Sequence, residues 1–379
     1  TGPFSTPFNA SLKIDFQGSR VTSDAGLILV REVDERLGFG ELIQQHPTDS
    51  RRGKNTQFPF ADLLRQSVYS RLAGYEDLND AERLSQDPTF RLIGSEKIWD
   101  RGAALTSRLQ SFETEMLTQE ENFAGLARLN RALIGKAEAV GSGYRTILDM
   151  DSTEVPVYRE QEQSAYNGYF ESTCFHPLLL FNSEGDCLAA KLRPGNAHSA
   201  EGWEELLLPE IERQQETGKE VAFRADAAFA QPEVYEALEE RGVKYAIRMP
   251  ANDSLERDIA AMLPRPVGRP SQKPLVEYQG FLYRAASWKT ARPVLAKVEH
   301  HAGELFPRVG FIGRVFVEPS WGVLASPDSP RSTAEWRTCG DTPCSNRIHS
   351  GWPGVSSDRP SDSPHRSPEN TPSAPGDSR

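Results

Sequence analysis

Two short stretches of the sequence place an acidic residue directly after a run that is suited to a β-strand. The run 146–150 precedes Asp151, and the run 220–225 precedes Asp226. Carboxylates in such positions can hold Mg²⁺, which prefers oxygen ligands and keeps water molecules that can act as nucleophiles. If the two acids met, metal ions between them could activate the attacking oxygen and stabilise the leaving oxygen of a phosphodiester. The expected cofactor is Mg²⁺, with Mn²⁺ as a substitute.

Two other interpretations of the first stretch stay open. Asp149 has the same alternation as Asp151 and competes for its role, although it lies deeper in the predicted strand. The Asp-Ser-Thr sequence at 151–153 is also typical of Asx turns and helix caps, which need no catalytic role. We favour Asp151 as the functional acid, since it stands at the predicted strand end.

Length and composition indicate a soluble protein with more than one domain. The 379 residues exceed the roughly 250–300 that one hydrophobic core serves, and 26% charged residues is typical of globular proteins. A net charge of −11 argues against a uniformly basic nucleic-acid binder but leaves local basic patches open. The sequence has neither an apolar run of the roughly 20 residues that cross a bilayer nor a signal-peptide core. We therefore expect a cytoplasmic protein with no membrane partner.

Residues 1–135 predict a helical, DNA-binding N-terminal domain. Helical periodicity follows a cap at Thr22-Ser-Asp24, recurs from Phe60 to about Gly74, and spans about 106–133. Several basic side chains of this region could bind DNA phosphates or could form a solvated face. They are Arg51, Arg52, Lys54, Arg65 and Arg71.

Residues 141–250 change from helical to alternating periodicity and predict the order β, β, β, α, β, α, β. The strands are expected near 146–151, 175–181, 187–192, 220–226 and 243–248, with one helix capped by Ser199 and another beginning at Pro232. This order is that of an RNase H-like α/β fold, a mixed sheet flanked by helices. The first and fourth strands are neighbours in that fold, which would bring Asp151 and Asp226 to one sheet edge.

Five blocks between Val21 and Ile312 carry a specific resemblance. They are Thr22-Ser-Asp-Ala-Gly-Leu-Ile-Leu-Val-Arg-Glu-Val-Asp-Glu-Arg-Leu37, Gly74-Tyr-Glu-Asp-Leu-Asn-Asp80, Leu148-Asp-Met-Asp-Ser-Thr153, Leu192-Arg-Pro-Gly-Asn-Ala-His198 and Phe223-Arg-Ala-Asp-Ala-Ala-Phe229. Through them the chain resembles bacterial insertion-sequence transposases with a DDE catalytic domain of the group 1 type. The resemblance implies that Asp151 and Asp226 are the first two metal-binding, catalytic acids.

The resemblance also implies a reaction and its partners. The expected activity is metal-dependent cleavage of transposon ends, followed by strand transfer into target DNA. The expected partners are transposon terminal repeats, target DNA and a second copy of the chain on paired ends. Such a protein would act on the nucleoid in the bacterial cytoplasm.

Residues 251–312 predict a basic arm followed by the β-rich insertion of this family. The arm, Arg265-Pro-Val-Gly-Arg-Pro270 with Lys273, is kept extended by proline. Its DNA-binding candidates are Arg265, Arg269 and Lys273, which could enter an A·T-rich minor groove or could be solvated charges on a linker. Short strands are expected at 275–278, 281–286 and 294–298. Trp288 could stack on a displaced base or belong to the core.

Residues 313–379 depart from the family. They contain no Lys, and Pro, Ser and Gly make up about two fifths of them, a composition that predicts a disordered or aberrant, out-of-frame tail. The family's third acid belongs to a helical Tyr-x₂-Arg-x₃-Glu-x₆-Lys pattern. Here Arg331 and Glu335 are kept, but Asp328 and Thr342 replace the Tyr and Lys. Prolines in the same segment disfavour the helix, so Glu335 is a poor third catalytic acid.

The sequence therefore predicts a DDE transposase that is defective because its third acid and the helix that should carry it are lost. Two alternatives from other classes stay open. One is an RNase H-like nuclease that does not transpose, which would cleave without specificity for transposon ends. The other is an inactive DNA-binding remnant, which would bind terminal repeats without nicking them.

Overall fold

The computed structural model describes residues 4–6, 9–14, 22–52, 57–141, 143–158, 161–265, 267–268 and 273–314. The α-helices of these residues are α1 (Leu27–Arg36), α2 (Phe39–Gln45), α3 (Phe60–Leu72), α4 (Ala81–Leu84), α5 (Pro88–Ile93), α6 (Glu96–Arg101), α7 (Thr106–Ser111), α8 (Glu120–Gly141), α9 (Trp203–Glu216), α10 (Pro232–Glu240) and α11 (Asp253–Asp258). A π-helical turn spans Phe112–Met116, and a 3₁₀ turn spans Ala227–Phe229.

The strands of the same residues form three sheets. They are β1 (Phe4–Thr6), β2 (Asn9–Ile14), β3 (Arg145–Ser152), β4 (Val155–Pro156), β5 (Ala165–Asn167), β6 (Ser172–Phe175), β7 (Leu178–Phe181), β8 (Cys187–Lys191), β9 (Glu220–Ala225), β10 (Lys244–Met249), β11 (Leu275–Tyr283), β12 (Arg292–His300) and β13 (Arg308–Arg314). One sheet has eight strands in the order β11-β12-β13-β10-β9-β3-β7-β8, β4-β6-β5 form a second, and β1-β2 form a third.

The eight-stranded sheet is the frame of the molecule, with β3, β9 and β10 parallel and the other neighbours antiparallel. Its main core joins Leu148 of β3 and Phe223 of β9 to Leu207 of α9 and Tyr235 of α10, all of them fully buried. Apolar runs that are buried by crossover helices are typical of parallel strands. The predicted mixed α/β, RNase H-like fold is confirmed, and the strands that carry the two acids, β3 and β9, are neighbours.

The helical region differs from the prediction at its first helix. α1 begins at Leu27 after Gly26, which makes no side-chain cap. The Thr22 hydroxyl instead accepts from the Asp24 backbone N–H and donates to the carboxylate of Asp87, over 3.0 and 2.8 Å. Asp87 in turn caps α5, so the segment before α1 is tied to a helix that is distant in sequence.

The helix predicted over 106–133 is interrupted. α7 ends at Ser111, the π-helical turn follows, and α8 begins only at Glu120 and continues to Gly141. The buried Asn122 side chain donates to the carbonyls of Met116 and Thr48 over 2.8 and 3.0 Å and accepts from the Thr48 N–H over 2.7 Å. These bonds satisfy backbone groups at the break, which local periodicity did not reveal.

Internal carboxylates neutralise several of the basic side chains that we considered for DNA phosphates. Arg65 is buried and makes a bidentate pair with the buried Asp34, over 2.8 and 3.0 Å. Arg71 pairs with Glu113 over 2.9 Å, and Arg51 pairs with an acid two residues away. For Arg65 both sequence-based interpretations, phosphate contact and solvated face, are wrong.

The strands of the predicted insertion extend the main sheet. β13, which periodicity did not reveal, lies between β10 and β12 and pairs with both. β11 is one continuous strand rather than two short ones, because residues 279 and 280 keep their register opposite β12. The β4-β6-β5 sheet was not predicted either. Ser199 is not a helix cap, since α9 begins after Gly202, whose left-handed φ of 75° suits glycine.

No helix in the described ranges has the length and apolar character needed to span a membrane.

Candidate functional site

Strand β3 presents Asp149 and Asp151 on the less buried face of the sheet, because the residues that alternate with them, Thr146, Leu148 and Met150, are buried on the other face. Parallel pairing aligns Met150 of β3 with Ala225 of β9. Asp151 and Asp226 each follow this pair by one residue. The structure therefore places the two acids at the same edge of the sheet, at the ends of adjacent parallel strands.

The two carboxylates accept hydrogen bonds only from nearby backbone in the described part of the chain. Asp151 Oδ1 accepts from the Ser152 N–H over 2.8 Å, and Asp226 Oδ1 accepts from the Ala228 N–H over 3.0 Å. The second bond caps the 3₁₀ turn that follows β9. Neither acid has a basic partner within ion-pairing distance among the described residues, so both keep oxygen lone pairs available.

The surroundings of Asp226 favour its protonated form, although the residue is open to solvent. Its pKa is raised above the ordinary value, chiefly because neighbouring protein atoms displace water around the carboxylate and also because Asp151 adds a like charge. The N–H of Ala228 and the neighbouring basic side chains of Arg248 and His198 act in the opposite direction. This repulsion agrees with the register of β3 and β9, which makes the two acids neighbours at the strand ends.

Asp149 is engaged elsewhere. Its two oxygens accept from Nε and Nη2 of Arg224, its register partner on β9, over 2.7 and 2.5 Å. Bidentate pairing with arginine fixes the geometry of a carboxylate and uses its acceptor sites. Of the two competing acids on β3, Asp151 is the one whose oxygens are left open.

Two basic residues beside the acids were not predicted. Ile247 of β10 pairs with Ala225, so Arg248 follows on the strand next to Asp226. His198 ends one of the sequence blocks named above, and its Nδ1 accepts from the Ala200 N–H over 3.2 Å. Arg248 could have been predicted from the alternation along its strand, which places it on the same face as the acids. The position of His198 near Asp226 depends on the course of a loop, which the sequence pattern does not give.

A buried arginine holds that loop. Arg193 is 4% exposed, and its Nε donates to the His176 carbonyl over 2.9 Å. Its Nη1 donates to the carbonyls of His198 and Glu201 over 2.9 and 2.6 Å. One guanidinium thus joins the loop to the segment between β6 and β7 and fixes the backbone at His198.

The predicted DNA-binding side chains lie in and around the segment before β11. Arg265 is exposed and reaches the carbonyls of Glu304 and His301 only at 3.4 and 3.5 Å, which are long, weak contacts. Lys273 is also exposed, and Arg269 lies outside the described residues. The role of these side chains in DNA binding stays a prediction.

Trp288 belongs to the core. It is 4% exposed, with its ring 5.1 Å from that of Tyr235 and 5.8 Å from that of Tyr283. The guanidinium of Arg292 lies 5.1 Å above it. The hypothesis that Trp288 stacks on a displaced base is wrong, and the core alternative is correct.

A divalent cation fits the acid pair by the chemistry of its donors. Asp151 and Asp226 offer carboxylate oxygens, which are the ligands that Mg²⁺ and Mn²⁺ prefer. A cation would offset the loss of water around Asp226 and the like charge of Asp151, which together raise the pKa of Asp226. Within the described ranges, no three His, Cys, Asp or Glu side chains gather into a metal-binding group. Glu335, the predicted weak third acid, lies outside those ranges, as does the predicted disordered tail beyond Arg314.

Adjacent parallel strands that end on acids, in a sheet of this order, define the class of RNase H-like α/β domains. The chain matches the family described as Transposase DDE domain group 1 over residues 4–332. It belongs to that family, which confirms the resemblance found in the sequence. No curated protein matches the chain. The family implies nuclease and transferase chemistry on DNA, generally with divalent metal ions.

Proposed function

We propose that this chain is a transposase of a bacterial insertion sequence, built to cleave transposon ends and transfer them into target DNA, but defective in that reaction. The observation that carries the proposal is the placement of Asp151 and Asp226 at adjacent strand ends in a chain of the DDE family. The substrates would be terminal repeats and target DNA in the bacterial nucleoid, in the cytoplasm, with two copies of the chain on paired ends.

Asp151 and Asp226 are the proposed ligands of Mg²⁺ or Mn²⁺. When bound, such ions activate an attacking oxygen and stabilise a leaving one at a phosphodiester. The chain itself contributes rigid placement: the β3–β9 pairing fixes the spacing of the two acids, and the Ala228 N–H orients the Asp226 carboxylate. Asp149 is not a proposed metal ligand, because its carboxylate is paired with Arg224.

The proposed defect rests on the third acid. Prolines at 327, 330 and 343 flank Glu335 in the sequence and disfavour a helix there. The family match ends at residue 332, before Glu335. Useful catalysis needs a ligand held within about 0.5 Å of its working position, and a segment that prolines keep from forming a helix would lack the means to do this.

Metal binding is the direct test of the acid pair. We expect Asp151→Asn and Asp226→Asn each to weaken Mn²⁺ affinity on the order of tenfold or more, measured by calorimetric titration of the full chain. Asp77→Asn is a matched control, because the exposed Asp77 makes the same type of bond, accepting from the Asn79 N–H over 2.7 Å. Equal Mn²⁺ affinity in all four proteins would contradict the assignment.

Incubation with DNA separates the proposal from its alternatives. Plasmids with and without terminal repeats would be treated with the wild-type chain and Mg²⁺ or Mn²⁺. Cleavage that ignores the repeats would favour an RNase H-like nuclease, whereas binding to repeats without nicking would favour an inactive DNA-binding remnant. If nicking occurs, loss of nicking with retained DNA binding in Asp151→Ala and Asp226→Ala would support their catalytic role.

A further inference from the structure

The less buried face of the sheet carries charged side chains across β3, β9 and β10, and most of them are neutralised within the sheet. At the start of these strands, Glu220 accepts from Arg145 over 2.8 Å and also pairs with Lys244. In the middle, Asp149 and Arg224 form the bidentate pair described above. These side chains pair with one another, so few of their hydrogen-bonding groups are available to a ligand.

The charged residues at the ends of these three strands differ, because they are not paired with one another. The register of β3, β9 and β10 places Asp151, Asp226 and Arg248 side by side on this same face, one residue beyond the paired positions. Arg248 is exposed and makes neither a hydrogen bond nor an ion pair with any described residue, whereas its charge is near enough to lower the pKa of Asp226. Its guanidinium therefore lies beside the acids, and its donors have no partner in the described part of the chain.

We propose that Arg248 binds a phosphate group of the DNA strand that lies across Asp151 and Asp226, and so positions that strand at the acid pair. The inference rests on the proposed function. A guanidinium offers a planar fork of donors that matches phosphate oxygens. Neighbouring β-strands are about 4.8 Å apart. A short segment of one DNA strand can therefore contact both the acid-bound cation and Arg248.

Two measurable effects of replacing Arg248, one on metal affinity and one on DNA affinity, distinguish phosphate binding from a role in orienting the acids. A cationic side chain repels a metal ion and attracts a phosphate. Replacing Arg248 should therefore leave the affinity for Mn²⁺ unchanged or higher while the affinity for DNA falls. If Arg248 merely oriented Asp226, its replacement would weaken metal binding first.

The experiment compares Arg248→Gln, Arg248→Lys and Arg241→Gln with the wild-type chain. Arg241 lies just before the opposite end of β10 and pairs with Glu212 at 3.8 Å, so its variant makes the same charge change away from the acids. Binding of a short DNA duplex in Ca²⁺ is measured over a series of salt concentrations, and Mn²⁺ affinity is measured without DNA. Melting temperatures verify folding.

For Arg248→Gln we expect DNA affinity to fall on the order of tenfold and the slope of log affinity against log salt to fall by about one. Arg248→Lys should lie between, since it keeps the charge but not the fork, and Arg241→Gln should match wild type. Unchanged DNA affinity and slope in Arg248→Gln, or a parallel loss of Mn²⁺ affinity, overturns the inference alone. A wild-type chain with no metal-dependent DNA binding overturns the proposed function as well.

Discussion

Asp226 destabilises the folded chain when it is ionised, because its pKa is higher in the folded state than in the unfolded state. This penalty is absent below the unfolded value, about 3.9, and grows as pH rises to the folded value. Asparagine can keep the bond to the Ala228 N–H without the charge. At pH 7 and without metal, we expect Asp226→Asn to raise the melting temperature by about 1–3 °C.

Melting curves at several pH values test the origin of this gain. The advantage of Asp226→Asn should shrink as the pH is lowered through the window between the two pKa values. Asp77→Asn, which keeps the same kind of backbone bond at an exposed site, should change the melting temperature little at any pH. A gain that stays constant with pH would mean that charge is not its cause.

Single residues were predictable from the sequence where their position along one strand determines their place. Asp151 and Asp226 could be found because each ends an apolar run, and the fold order then brings their strands together. The pairing of Asp149 with Arg224 and the position of Arg248 beside Asp226 depend on the register between strands. Register is set by packing of distant segments, which a single sequence does not display.

Gly195, between β8 and α9, lies against the small sheet. A Cβ at this position would stand 2.2 Å from the Ala165 carbonyl oxygen and 2.5 Å from that of Cys174, both backbone atoms that cannot move aside alone. We expect Gly195→Ala to lower the free energy of unfolding by about 1–3 kcal/mol, measured by urea denaturation.

Gly168, in the turn between β5 and β6, provides the control. An added Cβ there would have no atom within 4 Å, and the backbone of Gly168 does not have a positive φ. Gly168→Ala should therefore change the free energy of unfolding by no more than about 0.5 kcal/mol. If both variants unfold at the same urea concentration as wild type, the close approach at Gly195 is not important for stability.

The basic arm before β11 makes a separate prediction. Replacing Arg265 and Arg269 with Ala should weaken DNA binding, and the slope of log affinity against log salt should fall by about one for each DNA phosphate that the variant no longer neutralises. Arg36→Ala is a suitable control, since this exposed arginine of α1 pairs with Glu32 of its own helix. An unchanged slope in the arm variant would support the linker interpretation instead.

Elements with strong local periodicity were predictable, and those shaped by distant contacts were not. α3, α10 and the strands that carry the acids follow apolar repeats that are visible in the sequence. The break between α7 and α8 depends on Asn122, which bonds to a carbonyl 74 residues away. β11 continues through Gly280 because β12 pairs with it along its whole length, although glycine alone favours a turn.

For the whole molecule, we predict that the purified chain binds DNA weakly and neither excises nor joins a marked element in the presence of Mg²⁺ or Mn²⁺. Without a well-placed third acid, charge on the leaving oxygen is poorly stabilised. The assay is excision and joining of an element with its own terminal repeats. Detection of joined product would contradict the prediction, and Glu335→Ala would then test whether Glu335 supplies the third ligand.

The position of β13 constrains the order in which the sheet can assemble during synthesis. β8, β7, β3, β9 and β10 all precede residue 250, so these five strands can pair as soon as they leave the ribosome. The β11–β12 hairpin is made next, but it is joined to the rest of the sheet through β13, which comes after it. Until residues 308–314 are available, β10 keeps an open edge and the hairpin has no place in the sheet. The last strand of the described chain thus closes the gap between two parts made before it.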